Sequence, residues 1–141
     1  MDKPYIKYSK TTHYKYRLEE AYEAQTDICP PENFENDEFA MDKSGLLLIK
    51  RLYPSDGPSG PTIDTASFMR GAFIHDVRAE AMRLGVLPPS FFAAINDELR
   101  QNCLQDGMCK FRADYVHFFV SITNNWCHKT TKPEHPILTA P

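Results

Sequence analysis

The alternation of apolar and polar residues divides the chain into a first half with strand patterns and a second half with helical patterns. Four apolar residues alternate with charged ones as in a half-buried strand: Tyr14, Tyr16, Leu18 and Tyr22. A second strand is predicted over 45–53, where the run Leu46–Ile49 is compatible with burial on both faces. Prolines and glycines between residues 54 and 61 then predict a loop.

Three helices are predicted after this loop, because the windows 62–87 and 90–132 contain no proline. The first helix is expected to start at a residue whose side chain can cap an N-terminus: Asp64, Thr65 or Ser67. It ends near Gly85, before a pair of prolines. The second helix runs from Ser90 to Gly107, where glycine can adopt the left-handed conformation that closes a helix.

The third helix carries a broad apolar stripe with six members: Phe111, Tyr115, Phe118, Phe119, Ile122 and Trp126. Such spacing is the ordinary sign of burial, so we expect the stripe to pack on the other two helices rather than to form an aromatic ligand box. The predicted fold class is α+β, with a strand-rich N-terminal half and a three-helix C-terminal half. We expect one domain over 13–128, an N-terminal arm over 1–12 and a C-terminal extension over 129–141.

Length and composition agree with a single globular domain, because the chain has 141 residues, of which 42 % are hydrophobic and 25 % charged. Its apolar runs are far shorter than the roughly 20 residues of a spanning helix, so no membrane segment is predicted. The first residues also lack the apolar core of a signal peptide. We therefore expect the four cysteines to be thiols in a reducing cytosol.

Charge is distributed unevenly although the net charge is only -3. Residues 1–17 sum to +4, and residues 18–42 hold nine acidic side chains with no lysine or arginine, a sum of -9. The basic, tyrosine-rich start has ingredients of a nucleic-acid contact. The acidic sequence beside it would cancel much of that field, so we favour a half-buried strand there and do not expect nucleic acid as a partner.

One group of histidine and aspartate residues could carry out catalysis. His75 and Asp76 lie in the middle of the first predicted helix, within apolar sequence, and Asp97 lies on the helix that follows. We expect the His75 ring to bond to Asp97, since an antiparallel helix pair spans this separation. A carboxylate that accepts from one imidazole nitrogen would raise the basicity of the other, as a general base requires. The same bond could equally be structural and hold the two helices together.

Other chemical arrangements have less support. Three cysteines and two histidines of the C-terminal half lack the short C-x2-4-C spacing of zinc sites: Cys103, Cys109, His117, Cys127 and His128. Ser67 and His75 lie eight residues apart on one predicted helix, about 12 Å along its axis, too far to form a nucleophile and base. No phosphate-binding loop is present in the sequence. We expect no metal and no cofactor.

The region 46–126 resembles the phage and prophage family catalogued as domain of unknown function 1353. Four features carry the resemblance: the strand 45–49; the turn with Asp64, Ala66 and Ser67; His75-Asp76 followed by Asp97; and the start of the aromatic helix at Phe111-Arg112-Ala113 with Tyr115. The sequence departs from the family at Ala79, where the family commonly has a tyrosine.

The resemblance implies a bacteriophage source and leaves two functions open. The first is a virion or assembly component of the neck, tail or baseplate that contacts other phage structural proteins, with multiple copies in a symmetric assembly as one expectation. It would occupy the virion and, before assembly, the host cytoplasm. The second is a hydrolase, because the His-Asp pair and the distant aspartate are similar to the helix pair of secreted phospholipase A2.

The two ends are predicted to dock on other chains of such an assembly. Segments 1–12 and 129–141 are polar, and 129–141 is also rich in proline, so they cannot bury enough surface to order themselves alone. Their apolar side chains are the expected anchors: Tyr5, Tyr8, Ile137 and Leu138.

Overall fold

Strands fill the first half of the structure and helices the second, which confirms the predicted α+β class. A computed structural model describes residues 5–10, 16–55 and 66–129, with only the helical backbone for 123–129. The strands in these residues are β1 (Tyr8–Lys10), β2 (Tyr16–Leu18), β3 (Tyr22–Gln25), β4 (Phe34–Glu35), β5 (Phe39–Met41), β6 (Leu46–Ile49) and β7 (Pro54–Ser55). The helices are α1 (Ala66–Arg83), α2 (Phe92–Gln105) and α3 (Lys110–Lys129), with a 3-10 turn at Pro89–Phe91.

The strands form two small antiparallel sheets. The first sheet has the order β1-β2-β7 and the second has the order β3-β6-β5-β4. The turn into β6 requires glycine: Gly45 has φ +96°, and a Cβ there would lie 2.1 Å from the Thr26 carbonyl oxygen. The predicted strand over 45–53 is thus confirmed for Leu46–Ile49, with Leu47 and Ile49 buried and the other two half-buried.

The predicted helix ends agree with the structure because glycines close α1 and α2. Gly85 and Gly107 both adopt the left-handed backbone, with φ of 80° and 98°. The amide of Gly85 donates to the carbonyl of Met82, and that of Gly107 to the carbonyl of Leu104. These bonds satisfy carbonyls that a helix C-terminus would otherwise leave open.

Helix α1 is the centre of the molecule. Eleven of its 18 residues are buried, and they cover most of its circumference. One side of α1 packs with the strands in a core that includes Leu18, Phe39, Leu47, Phe73 and Val77. The other side packs with α2 and α3 in a second core: Phe68, Ala72, Leu99, Cys103, Met108, Ala113 and Val116.

The N-terminal segment packs on its own domain, which corrects the predicted arm over 1–12 for the part that the structure describes. Strand β1 pairs with β2 in the register Tyr8↔Leu18. The Tyr8 ring lies 5.4 Å from the Tyr16 ring and 6.2 Å from the Phe73 ring. The polar segment is ordered because β2 supplies backbone partners and α1 an apolar surface, neither of which is visible in its own composition.

Two arginines of α1 join the second sheet to α2. The Arg78 side chain is fully buried, and its Nε and Nη2 donate to the two carboxylate oxygens of Glu98 at 2.9 and 2.8 Å. Its Nη2 also donates to Thr26 Oγ1 at 3.0 Å. Arg70 donates to Asp106 on one side and, at 2.9 Å, to the Tyr22 hydroxyl on the other.

Replacing Glu98 with glutamine should lower the free energy of unfolding by about 3 kcal/mol, because it leaves the buried Arg78 charge without a counter-charge. Urea unfolding of the Glu98→Gln variant measures the loss. The matched control is Asp114→Asn, which alters the more exposed pairs with Arg100 and Lys110 and should cost at most about 1 kcal/mol. Equal losses in both variants would refute the central role of the Arg78 pair.

Candidate functional site

The His75 side chain is enclosed between α1 and α2. It is 7 % exposed, and its Nε2 lies 2.9 Å from Asn96 Oδ1. Because an amide oxygen only accepts, the ring donates from Nε2. Burial lowers the pKa of His75, which keeps the ring neutral near neutral pH. The hydrogen bond between His75 and Asn96 therefore holds α1 against α2.

The predicted bond between His75 and Asp97 is wrong. Asp97 has a side chain that is 69 % exposed and instead accepts from His117 Nε2 at 2.8 Å, across the α2–α3 contact. Successive helical residues point about 100° apart, so Asn96 faces α1 while Asp97 turns to solvent. Asn96, which is buried, is the partner that the sequence reasoning missed.

Asp76 belongs to a polar interface between α1 and the strands. Its carboxylate accepts from the Ser55 hydroxyl of β7. One turn further along α1, Glu80 accepts from the Tyr53 hydroxyl at 2.9 Å. The Glu38 carboxyl joins this group, and its pKa is raised to about 7. Burial is the largest cause of the raised pKa, and a hydrogen bond to Glu80 and repulsion from Glu80 add to it. The Glu38 carboxyl therefore keeps its proton up to about that pH.

The remaining predicted site residues do not converge on this interface. Ser67 lies half-buried in the first turn of α1, and Tyr5 is exposed beside β1. Asp64, Ile137 and Leu138 lie outside the described residues. His75 and Asp76 thus belong to two separate contacts of α1 rather than to one catalytic group.

The described cysteines do not form a metal centre. Cys29 and Cys109 are exposed thiols, and Cys103 is buried between α1 and α2. Burial raises the pKa of Cys103 to about 12, so it stays a thiol rather than the thiolate that binds zinc. Within 5–10, 16–55 and 66–122, where side chains are described, no cluster of three histidine, cysteine or acidic side chains could hold a metal ion.

The outer side of α3 is apolar and open to solvent, which corrects the prediction that the stripe packs on the other helices for four of its six members. Of the other two, Phe119 is half-buried and the side chain of Trp126 lies outside the described residues. Four exposed residues form a surface that we call the α3 apolar face: Phe111 (84 % exposed), Tyr115 (44 %), Phe118 (62 %) and Ile122 (57 %). The residues that pack inward are Ala113, Val116 and Val120. The two sets lie about 160° apart around the helix, so α3 carries two apolar sides and its own domain covers one.

The charged residues beside the α3 apolar face have partners within the same chain. Arg112 lies over the Phe68 ring, with 6.0 Å between the guanidinium carbon and the ring centre. Asp114 accepts from Arg100 at 2.6 Å and from Lys110 at 2.7 Å. The surface between these charges is therefore uncharged and aromatic, which is the composition of a protein-binding patch rather than of a catalytic pocket.

No family model, curated protein or solved structure matches the chain at a significant level. In the described part of the chain, none of the helices is both long and apolar enough to cross a membrane.

Replacing Asn96 with alanine should reduce the free energy of unfolding by about 1 to 3 kcal/mol, because the buried His75 N–H loses its acceptor. Asp97→Ala is the neighbouring control. It removes only the exposed pair with His117 and should cost at most about 1 kcal/mol. Denaturant titration of both variants decides between the two partners, and a larger loss for Asp97→Ala would restore the sequence-based pairing.

The contribution of Glu38 to the stability of the protein should fall as pH rises from 4.5 to about 7. The folded chain holds a proton on Glu38 in this interval, whereas the unfolded chain, with the ordinary pKa of 4.5, has released it. Position 38 does not titrate in the Glu38→Gln variant, so the stability of this variant relative to the wild type should rise with pH across the interval. Glu35→Gln, which alters an exposed pair with Lys50, is the control. Urea unfolding at several pH values measures the slopes, and parallel slopes for wild type and Glu38→Gln would refute the raised pKa of Glu38.

Proposed function

We propose that the chain is a bacteriophage virion or assembly component, a neck, tail or baseplate module that acts by binding other proteins through the α3 apolar face. The observation that carries the proposal is the solvent exposure of Phe111, Phe118 and Ile122, each more than half exposed, in a continuous stripe. Large aromatic side chains supply most of the energy at protein interfaces. We therefore interpret this solvent-exposed aromatic stripe as a surface that another protein covers.

The size of the patch supports an interaction role. A large side chain presents roughly 200 Å² when fully exposed, so the exposed fractions of the four members correspond to roughly 500 Å². Contiguous apolar patches of this size on a single chain are commonly functional sites. Isolated exposed apolar residues, such as Leu84 after α1, are ordinary surface features and carry no such meaning.

The bacteriophage context rests on the resemblance of 46–126 to the phage and prophage family. Under this proposal the partners are other phage structural proteins, with neither nucleic acid nor a membrane involved, and the chain occupies the virion after a period in the host cytoplasm. The fold suits such a role, because α1 and its two buried arginines hold the core together without using the outer side of α3.

The environment of His75 favours this function over the hydrolase. A phospholipase-like site needs a histidine that reaches water and a distant aspartate that orients it. Here His75 is buried and bonded to Asn96, and Asp97 bonds to His117. The two groups therefore act in separate contacts between helices.

The double variant Phe111→Ser/Phe118→Ser should fold normally and fail to enter phage particles, because both side chains face solvent in the isolated chain. The measurement is mass spectrometry of particles purified after complementation of a deletion. Leu84→Ser, which removes an exposed apolar residue elsewhere, should be incorporated like the wild type. Absence of the wild-type protein from purified particles, or normal incorporation of the double variant, would refute the proposal.

A further inference from the structure

We infer that the α3 apolar face binds the same face of a second copy of this chain, so that the protein forms a two-fold dimer through paired α3 helices. This inference rests on the proposed function, since it names the partner of that surface. Three features of the described residues support a second copy over an unrelated protein: the spacing of the face, its area and its lack of charge.

The spacing is that of a helix that pairs with another helix. Phe111, Tyr115, Phe118 and Ile122 follow one another at intervals of four, three and four residues. This is the a/d spacing of a heptad repeat, which keeps one narrow seam directed at a partner helix. The seam occupies three turns of a helix 20 residues long, and no gap interrupts it. A helix of the same kind is the natural complement of such a seam, because the side chains of each can fit between those of the other.

The area of the face suits a pair of identical surfaces. Each copy would contribute roughly 500 Å², and the two together roughly 1,000 Å², which is the lower bound for a specific interface. A large hetero-partner would usually cover more than this stripe, whereas two equal faces cover each other completely. We therefore expect a dimer of moderate affinity that dissociates on dilution.

The charge around the face permits self-pairing. In a two-fold interface every residue meets the corresponding surface of the other copy, so a strongly charged face would repel itself. Asp114 and Arg112, on opposite flanks of the seam, already have partners in their own chain, and His117 is bonded to Asp97. No charged side chain among the described residues lies between the seam positions Phe111 and Ile122 on the outer side of α3.

The docking is also compatible with the rest of the domain. Ala113, Val116 and Val120 attach α3 to its own chain from the other side. Because the inward and outward sets lie about 160° apart, a second helix can approach without displacing α1 or α2. The interface thus adds to the folded chain and does not require any of its core contacts to open.

Sedimentation equilibrium of the full chain over the micromolar range tests the inference. The wild type should show a concentration-dependent mass that approaches twice that of one chain. Phe118→Glu should weaken association by at least about 30-fold, because it places a charge at the centre of the seam. Phe111→Glu is a second variant with the same expectation, and Leu84→Glu, outside α3, should dimerise like the wild type. Circular dichroism and the unfolding midpoint confirm that each variant is folded.

A monomeric wild type, or a Phe118→Glu variant that dimerises as well as the wild type, would overturn the inference. The particle experiment then separates the two ideas. If the Phe111→Ser/Phe118→Ser variant is excluded from particles although the wild type is a monomer, the α3 apolar face binds a different protein and the proposed function stands. If that variant is incorporated normally, both the dimer and the assembly role of this face are wrong.

Discussion

The buried guanidinium of Arg78 is the interaction on which the arrangement of the fold depends. It lies between α1, α2 and the second sheet, and it is bonded to Glu98 of α2 and to Thr26 beside β3. A buried charge is tolerated only when its donors are satisfied. The bonds of Arg78 therefore fix how α1, α2 and the second sheet are placed relative to one another. Arg70 imposes the same condition nearer the start of α1, through Asp106 and Tyr22.

The placement of α1 determines what remains for α3. Because strands cover one side of α1 and α2 covers much of the other, α3 packs mainly on α2, through small and branched side chains such as Ala113 and Val116. Phe111, Tyr115 and Phe118 lie on the opposite side of α3 and are exposed. The surface that we assign to binding is therefore separate from the contacts that hold the fold.

The sequence predicts this architecture well where a local residue decides the outcome. Gly85 and Gly107 end two helices because their left-handed backbone closes the last turn, and both positions are visible without a structure. The side-chain partners are harder, since a shift of one residue on a helix exchanges a buried position for an exposed one. That is why Asn96, rather than Asp97, meets His75. A periodic stripe likewise indicates an apolar side of α3 but does not tell which of two sides faces inward.

The distribution of charge distinguishes the edges of the second sheet from the open aromatic face of α3. The acidic segment 18–42 includes both edge strands of the second sheet, where Glu23 on β3 and Glu35 on β4 are exposed. Charged residues on edge strands prevent them from pairing with the edges of other chains. The edges of the second sheet are therefore acidic, whereas the α3 apolar face is uncharged. This difference gives the proposed pairing of two copies one direction, through α3 and not through the sheet.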